Sequence, residues 1–250
     1  MSDDYSIVIG DSAKVLRTVK DSVFDLCVTS PPYFFRKEYE DYFDYSEYLN
    51  MMRKVARELY RTMKDNTLTF VNINSNGKHP ENAFTILDIY KKAGYRFVQE
   101  IIWYRRNARY NYSRSRLCDY KEYIFMFAKD GDEGQYDFRP ENVKIQIIDK
   151  HRIGERFKPI GNVWDIPVQV GNQYVMEGNT ASFPLKIPDN CIKLANLREG
   201  SIVVDPFLGN GTTIIAALQN GYKGYGIEIN EKYVEIAERR ISRYYVERVW

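Results

Sequence analysis

Thr29, Ser30, Pro31, Pro32 and Tyr33 follow directly on the apolar run Val23, Phe24, Asp25, Leu26, Cys27, Val28, so a hydroxyl, two prolines and an aromatic ring cap a predicted buried strand. Consecutive prolines have fixed φ and no backbone donors, so their carbonyls stand as acceptors in one geometry. Acceptors beside a ring suit a flat ligand carrying an amino group, and a nucleobase is the obvious candidate. A plain Pro-Pro strand end over a packed tyrosine would read the same way locally, so the choice between them rests on the rest of the chain.

A second cluster lies far downstream. Val203, Val204, Asp205, Pro206, Phe207, Leu208, Gly209, Asn210, Gly211, Thr212, Thr213 read as a strand, a tight glycine-containing turn and a helix start. Glycines let backbone approach a ligand, and free amides at a helix N-terminus favour a carboxylate or phosphate. The run is neither the phosphate-binding GxxxxGK pattern nor the three-glycine dinucleotide spacing. Glu228 ends the next strand about 20 residues on, where an acidic side chain accepts hydrogen bonds from a ribose. Asp205 alone could be a helix cap and Glu228 alone an ordinary charge leaving a strand. In series they describe an adenosine site.

The elements that must carry these clusters alternate between strand-like and helical patterns, the sign of parallel strands joined by crossover helices. Strands are predicted over Tyr5–Gly10, Val23–Thr29, Thr67–Ile73, Phe97–Tyr104, Lys121–Ala128, Ser201–Asp205 and Tyr222–Glu228. Helices are predicted after Asp11 and over Ser46–Met63, Pro80–Ala93, Leu185–Leu197, Thr212–Asn220 and Glu231–Tyr245, with Gly94 closing the third. From Lys129 to about Gly171, glycines and prolines break any long element, which predicts an insertion or small appended lobe. The chain divides accordingly into a catalytic half (1–128), a small target-recognition region (129–171) and a cofactor-binding half of the same domain (172–250).

Composition narrows the chemistry. The 36 Lys and Arg against 34 Asp and Glu leave a net charge of +2, so attraction to a polyanion must be local. Cys27, Cys118 and Cys191 are odd in number and unpaired in spacing, which argues for a reducing compartment and against a zinc framework. With only His79 and His151, a His-based metal site and a Ser/His/Asp triad are both disfavoured, and no metal is expected. No apolar stretch has membrane length and the N-terminus lacks signal-peptide features, so a cytoplasmic protein is expected, in use at the nucleoid.

Taken in order, Gly10 and Asp11, Ser30 to Tyr33, Ile101 to Trp103, Glu122 with Tyr123, Phe183 with Pro184, Asp205 to Thr213 and Gly226 to Glu228 resemble the amino-methylating DNA methyltransferases. The arrangement is similar to the permuted beta group, in which the catalytic motif precedes the cofactor motif. The resemblance implies an α/β, Rossmann-like fold: a mostly parallel seven-stranded sheet with helices on both faces and a small inserted recognition region. It implies S-adenosylmethionine as cofactor, with Asp205, Phe207, Gly209 and Gly211 along the methionine portion and Glu228 on the ribose. Asp11 looks like the contact to the adenine amino group and Phe183 like a residue flanking the cofactor; Thr29, Pro206 and Thr212 complete the cofactor set.

The chemistry expected of Ser30, Pro31, Pro32 and Tyr33 follows from the weakness of an exocyclic amine, whose lone pair is delocalised into the ring. Acceptors at Ser30 Oγ and the Pro31 carbonyl would hold its hydrogens while Tyr33 stacks on a base flipped from the duplex. A sulfonium methyl is already activated, so positioning suffices and Cys27 need not be a nucleophile. In the family, a Ser-Pro-Pro-Tyr motif usually accompanies cytosine N4 methylation and an acidic first residue adenine N6. The expectation is therefore a site-specific cytosine-N4 enzyme, with adenine N6 as the alternative.

Double-stranded DNA is the expected partner. Between Arg105 and Arg116 five arginines, Arg105, Arg106, Arg109, Arg114 and Arg116, occur without one acid and are interleaved with Tyr and Asn, which suits phosphate clamping. The plainer alternative is a solvated basic loop, or a partner for the acids Glu38, Glu40, Asp41, Asp44 and Glu47. Arg36 and Lys37, after the catalytic turn, would close over DNA. Lys144, Lys150, Arg152, Arg156 and Lys158 charge the recognition region, whose small size suggests that a homodimer supplies more surface. An RNA or protein amino-methyltransferase would share the cradle and turn but not the basic-aromatic loop; a non-catalytic binding module would not need Ser30 to Tyr33. A cognate restriction endonuclease is not readable from these residues.

Overall fold

The computed structural model describes residues 4–34, 44–108, 110, 114–130, 136–146, 157–168 and 182–248. Along them run β1 (Tyr5–Ile9), α1 (Ser12–Thr18), β2 (Phe24–Thr29), α2 (Tyr45–Thr62), β3 (Met63–Ile73), α3 (Asn82–Lys92), β4 (Arg96–Tyr104) and β5 (Lys121–Lys129). There follow a 3-10 turn (Pro140–Asn142), β6 (Lys144–Gln146), β7 (Phe157–Pro159), β8 (Val163–Asp165), α4 (Lys186–Leu194), β9 (Ile202–Asp205), α5 (Thr212–Gln219), β10 (Lys223–Glu228) and α6 (Glu231–Arg248).

The main sheet has the order β1-β10-β9-β2-β3-β5-β4-β8, with β5 antiparallel to both its neighbours and every other pairing parallel. Strand residues alternate between two cores, as a sheet covered on both faces requires. Cys27, Val71, Phe125, Phe127 and Val204 face α1, α2 and α3, whereas Leu26, Val28, Phe70, Ile124, Met126 and Val203 face α4 and α5. α6 then packs on α5 through Ala237 and Ile241. The α2 face of Tyr48, Met52, Val55, Ala56 and Leu59 is buried at helical spacing, and the Asp44 carboxylate caps its start by accepting from Glu47 N at 2.8 Å.

The α/β architecture with a mostly parallel sheet is as expected; the strand count is eight rather than seven. Val163–Asp165 adds the eighth strand parallel to β4, opposite Ile102–Tyr104. The 129–171 insertion is therefore no detached lobe where it is described. Trp164 is buried in the second core, Trp103 Nε1 donates to the Ile166 carbonyl at 2.6 Å, and Asn107 exchanges two hydrogen bonds with Val168. Arg139 N also donates to Leu194 O at the end of α4. Among the described strands, only the β6-β7 ribbon stands apart from the main sheet. Boundaries differ locally: α4 stops at Leu194, short of Leu197, ahead of Asn196 in a left-handed conformation (φ 42).

Candidate active site

Parallel pairing brings the carboxyl ends of β1, β10, β9, β2 and β3 to one edge of the sheet, joined by the end of β4 and the start of β5. Open α/β sheets bind ligands at such an edge. β2 and β9 are neighbours, so Thr29 and Asp205 meet although 176 positions apart: Thr29 Oγ1 donates to Asp205 Oδ1 at 2.7 Å. Thr213 Oγ1 donates to Oδ2 at 2.7 Å, and Phe207 N to Oδ1 at 3.0 Å.

These bonds turn the Asp205 carboxylate inward, and only 2% of the residue is exposed. Burial pushes its pKa up to about 6, against the opposing effect of the three donors. Asp205 thus organises the turn, and Thr29, fully buried, supports it from behind. Thr212 is likewise a buried brace, donating to Asn210 Oδ1 at 2.9 Å and accepting from Arg240 Nη1 at 3.1 Å. Gly211 sits at φ 83, a left-handed position where a Cβ would lie 3.0 Å from that of Ala237. Arg240, which also donates to the Asn210 carbonyl at 2.5 Å, was not foreseen; a lone arginine on a charged helix gives no sequence signal for such a contact.

Glu228 faces the open side of this cradle. Its Oε2 accepts from Gly209 N at 2.8 Å and its Oε1 from Asn230 N at 2.9 Å, while burial raises its pKa. Ile229 adds a third backbone hydrogen bond, which leaves the carboxylate one lone-pair site for a hydroxyl donor. A Cβ built at Gly209 meets nothing within 4 Å, so the backbone there borders open space. A cationic ligand carrying ribose hydroxyls fits this donor-seeking, carboxylate-lined cradle. Asp11 caps α1 by accepting from Lys14 N at 2.9 Å, and Ser12 Oγ donates to the Pro206 carbonyl, tying the end of β1 to the cradle. Phe183 is buried in the second core, next to Ser182, which accepts from Asn210 Nδ2 at 2.9 Å.

The turn after β2 is held by side chains from other elements. Tyr48 donates to the Pro32 carbonyl (2.9 Å), Asn82 Nδ2 to that of Tyr33 (3.4 Å) and Asn76 Nδ2 to that of Phe34 (2.9 Å). Phe34 is left-handed (φ 58) and buried, its ring packed on Tyr45, Tyr48 and His79. Such backbone persists only where its surroundings impose it. The Pro31 carbonyl accepts no hydrogen bond among the described residues.

The Tyr33 hydroxyl lies 2.9 Å from Ser30 Oγ, 2.9 Å from Asn72 Oδ1 and 2.8 Å from Glu122 Oε2. Burial, reinforced by the Glu122 carboxylate, holds its pKa well above that of an ordinary phenol. Asn72 was missed as a site residue; its signal is an amide in the fully buried second half of β3, Leu68–Ile73. Cys27 is buried and its thiol is pushed up, in keeping with a strand residue and not a nucleophile.

The basic segment needs one correction. Arg105 is not free for phosphate: Nη1 pairs with Glu122 Oε1 at 2.9 Å and Nη2 donates to the Asp119 carbonyl at 2.7 Å, with 20% and 9% of the two paired side chains exposed. Half-buried just after β4, it joins Glu122 in the polar network behind the Ser30–Tyr33 turn. Arg106 and Arg116 form half-exposed pairs with Asp165 and Asp119, and Arg114 is exposed without a partner among the described residues. The acids meeting this segment come from β5, β8 and its own loop. Arg36, Lys37 and Arg109 lie outside the described residues, as do Lys150, Arg152 and Arg156; Lys144 and Lys158 are exposed on the β6-β7 ribbon. No group of three or more potential ligands that could hold a metal ion occurs among the described residues, nor does a helix long and apolar enough to cross a membrane.

An acceptor turn and a carboxylate cradle on adjacent strands of such a sheet define a group-transfer site of the methyltransferase type. Residues 24–239 match the N6/N4 DNA methylase family, and the chain belongs to that family. It is 28% identical over 263 residues to the Type II methyltransferase M.ScaI of Streptomyces caespitosus, covering 96% of this chain and 82% of that protein. It is 28% identical over 257 residues to the Type II beta methyltransferase M.BslI of a Bacillus species, covering 94% of this chain but spanning only 27% of that relative. Among solved structures, TTHA0409 of Thermus thermophilus, described as a putative DNA modification methylase, superposes with TM-score 0.69 and 26% identity over 96% of this chain and 95% of that one. The same Thermus protein has been solved complexed with S-adenosyl-L-methionine.

Proposed function

We propose that this DNA methylase transfers a methyl group from S-adenosylmethionine to the exocyclic N4 amine of a cytosine flipped from duplex DNA. The observation that carries the reading is the pair of acceptors at the turn: the neutral Ser30 hydroxyl and the Pro31 carbonyl, which has no hydrogen bond among the described residues while the carbonyls of Pro32, Tyr33 and Phe34 are engaged. Two acceptors hold the two amine hydrogens and let nitrogen become more tetrahedral, which returns its lone pair for attack. The cofactor supplies an activated methyl on a sulfonium. Glu228 and the backbone at Phe207, Gly209 and Gly211 bind and orient it, with Asp11 on the adenine amino group and Phe183 flanking the cofactor. The Tyr33 ring stacks on the base.

In this reading residues 1–128 and 172–250 form one catalytic domain, and 129–171 contributes the target-recognition surface, in a homodimer where one protomer offers too little. Arg106, Arg114 and Arg116 meet backbone phosphates, with Arg36, Lys37 and Arg109 completing the set. The test is incubation with labelled S-adenosylmethionine and separated DNA, RNA and protein acceptors, followed by nucleoside mass spectrometry. N4-methylcytosine in DNA is expected; N6-methyladenine alone would overturn the base assignment, and no transfer to DNA the whole reading. Arg114→Ala should reduce the salt slope of DNA binding by about one phosphate contact, with cofactor affinity unchanged.

A further inference from the structure

The polar groups behind the catalytic turn form a chain with one direction. Arg105 Nη1 donates to Glu122 Oε1, and Asn72 Nδ2 donates to Glu122 Oε2 at 3.1 Å, so both carboxylate oxygens are engaged as acceptors. The single Tyr33 hydroxyl proton therefore goes to Glu122 Oε2, or is shared with Asn72 Oδ1. In both cases it points away from Ser30. The Ser30 hydrogen must then point inward, to Tyr33 Oη at 2.9 Å or to Asn72 Oδ1 at 3.5 Å, and the Ser30 lone pairs are left for a ligand. Among the groups set against Glu122 are Arg105, just after β4, Tyr33 of the turn and the uncharged Asn72 of β3.

We infer that Glu122 is a positioning residue that fixes Ser30 as an acceptor before methyl transfer and receives the amine proton after it, through Ser30 and Tyr33. The inference rests on the amino-methyltransferase reading. As the amine lone pair forms the new carbon–nitrogen bond, the carbon–sulfur electrons return to sulfur and the nitrogen becomes cationic. One nitrogen–hydrogen bond then breaks, and its proton passes to Ser30 Oγ. The Ser30 proton moves to Tyr33 Oη, and the Tyr33 proton to Glu122 Oε2. Nitrogen ends neutral, both hydroxyls are regenerated, and Glu122 ends as a carboxylic acid that returns its proton to water once product leaves. A ring-conjugated methylammonium is a far stronger acid than a carboxylic acid, so the transfer runs downhill even with Arg105 favouring the carboxylate.

Glu122→Gln reverses the chain. Arg105 holds the amide oxygen on its own side, which turns the amide NH2 toward Tyr33 and drives the Tyr33 proton onto Ser30 or Asn72. With unmethylated genomic DNA as substrate, kcat should fall about 100-fold while the KM for DNA and the calorimetric affinity for S-adenosylmethionine stay unchanged. Tyr33→Phe keeps the ring and the Glu122–Arg105 pair and should lose a similar factor. The double variant should be no slower than the slower single variant, because the two residues act as one unit. Wild-type kcat in either folded variant, additive losses, or a loss confined to DNA or cofactor affinity would overturn the relay. Should Glu122→Gln not fold, Tyr33→Phe decides alone: reduced kcat at unchanged affinity supports the relay, and wild-type kcat overturns it. No transfer by the wild type would instead sink the parent reading.

Discussion

The loop after β2 and the loop after β9 leave adjacent strands at the same edge, yet they are built in opposite ways. The β9 loop is shaped mostly by its own stretch: glycines at φ 54 and 83, and a carboxylate whose bonds reach Phe207 and Thr213 within eight positions, with Thr29, Ser12 and Arg240 adding donors from outside. The β2 loop is shaped from outside, by Tyr48 of α2, Asn72 at the end of β3, Asn76 beyond it, Asn82 of α3 and Glu122 of β5. The first is a backbone cradle that most of its own sequence specifies. The second is a set of acceptors whose direction is imposed by side chains dozens of positions away.

The largest effect should come from breaking the outside support. Arg105→Ala strands the Glu122 charge in a buried site, a loss of about 3–5 kcal/mol measurable by denaturant unfolding, with methyl transfer abolished. Removal of an ordinary phosphate contact would leave stability unchanged. Next is the organising carboxylate of the cradle: Asp205→Asn places an amide where hydroxyl and amide donors converge, which costs roughly 1–3 kcal/mol and should weaken cofactor binding more than DNA binding.

Asp205 also predicts a pH signature. Its folded pKa, about 6, exceeds the ordinary value of 3.8, so its stabilising contribution is complete below 3.8 and lost as pH rises through about 6. The wild-type minus Asp205→Asn stability difference should fall over that window by an amount on the order of 3 kcal/mol; a flat difference would disprove the assignment. A cationic ligand favours the ionised carboxylate, so cofactor affinity should drop as pH falls through about 6, which calorimetry would detect. The smallest effect is local: Gly211→Ala forces a side chain into a left-handed position against Ala237, costing about 1–2 kcal/mol and lowering Tm, with the β2 loop and kcat at saturation unaffected.

The same contrast explains what was legible in the sequence. Asp205 to Thr213 and Glu228 could be read because one strand-loop-helix-strand unit carries the whole cradle in a contiguous stretch. The meeting of Thr29 with Asp205 also followed, since both end strands of one parallel sheet. Arg105 was read as a phosphate contact because its basic neighbours surround it in sequence, whereas its partner Glu122 faces it across the β4–β5 pairing. Asn72 carried no mark beyond a polar residue in the buried half of a strand. The insertion looked like a separate lobe because its strands are only three residues long; Trp164 and the pairing of β8 with β4 join it to the sheet.

That three-residue pairing has a metrical consequence. β8 lies in register with Ile102–Tyr104, immediately before the basic segment, and a strand can slip only by two residues if its buried face is to stay buried. Two residues of strand measure about 6.6 Å, so any slip that keeps Trp164 buried moves the insertion by a whole repeat of that size. Sequences grafted between 129 and 171 would keep β8 seated on the sheet only if they retain a tryptophan at 164 and its register against Trp103.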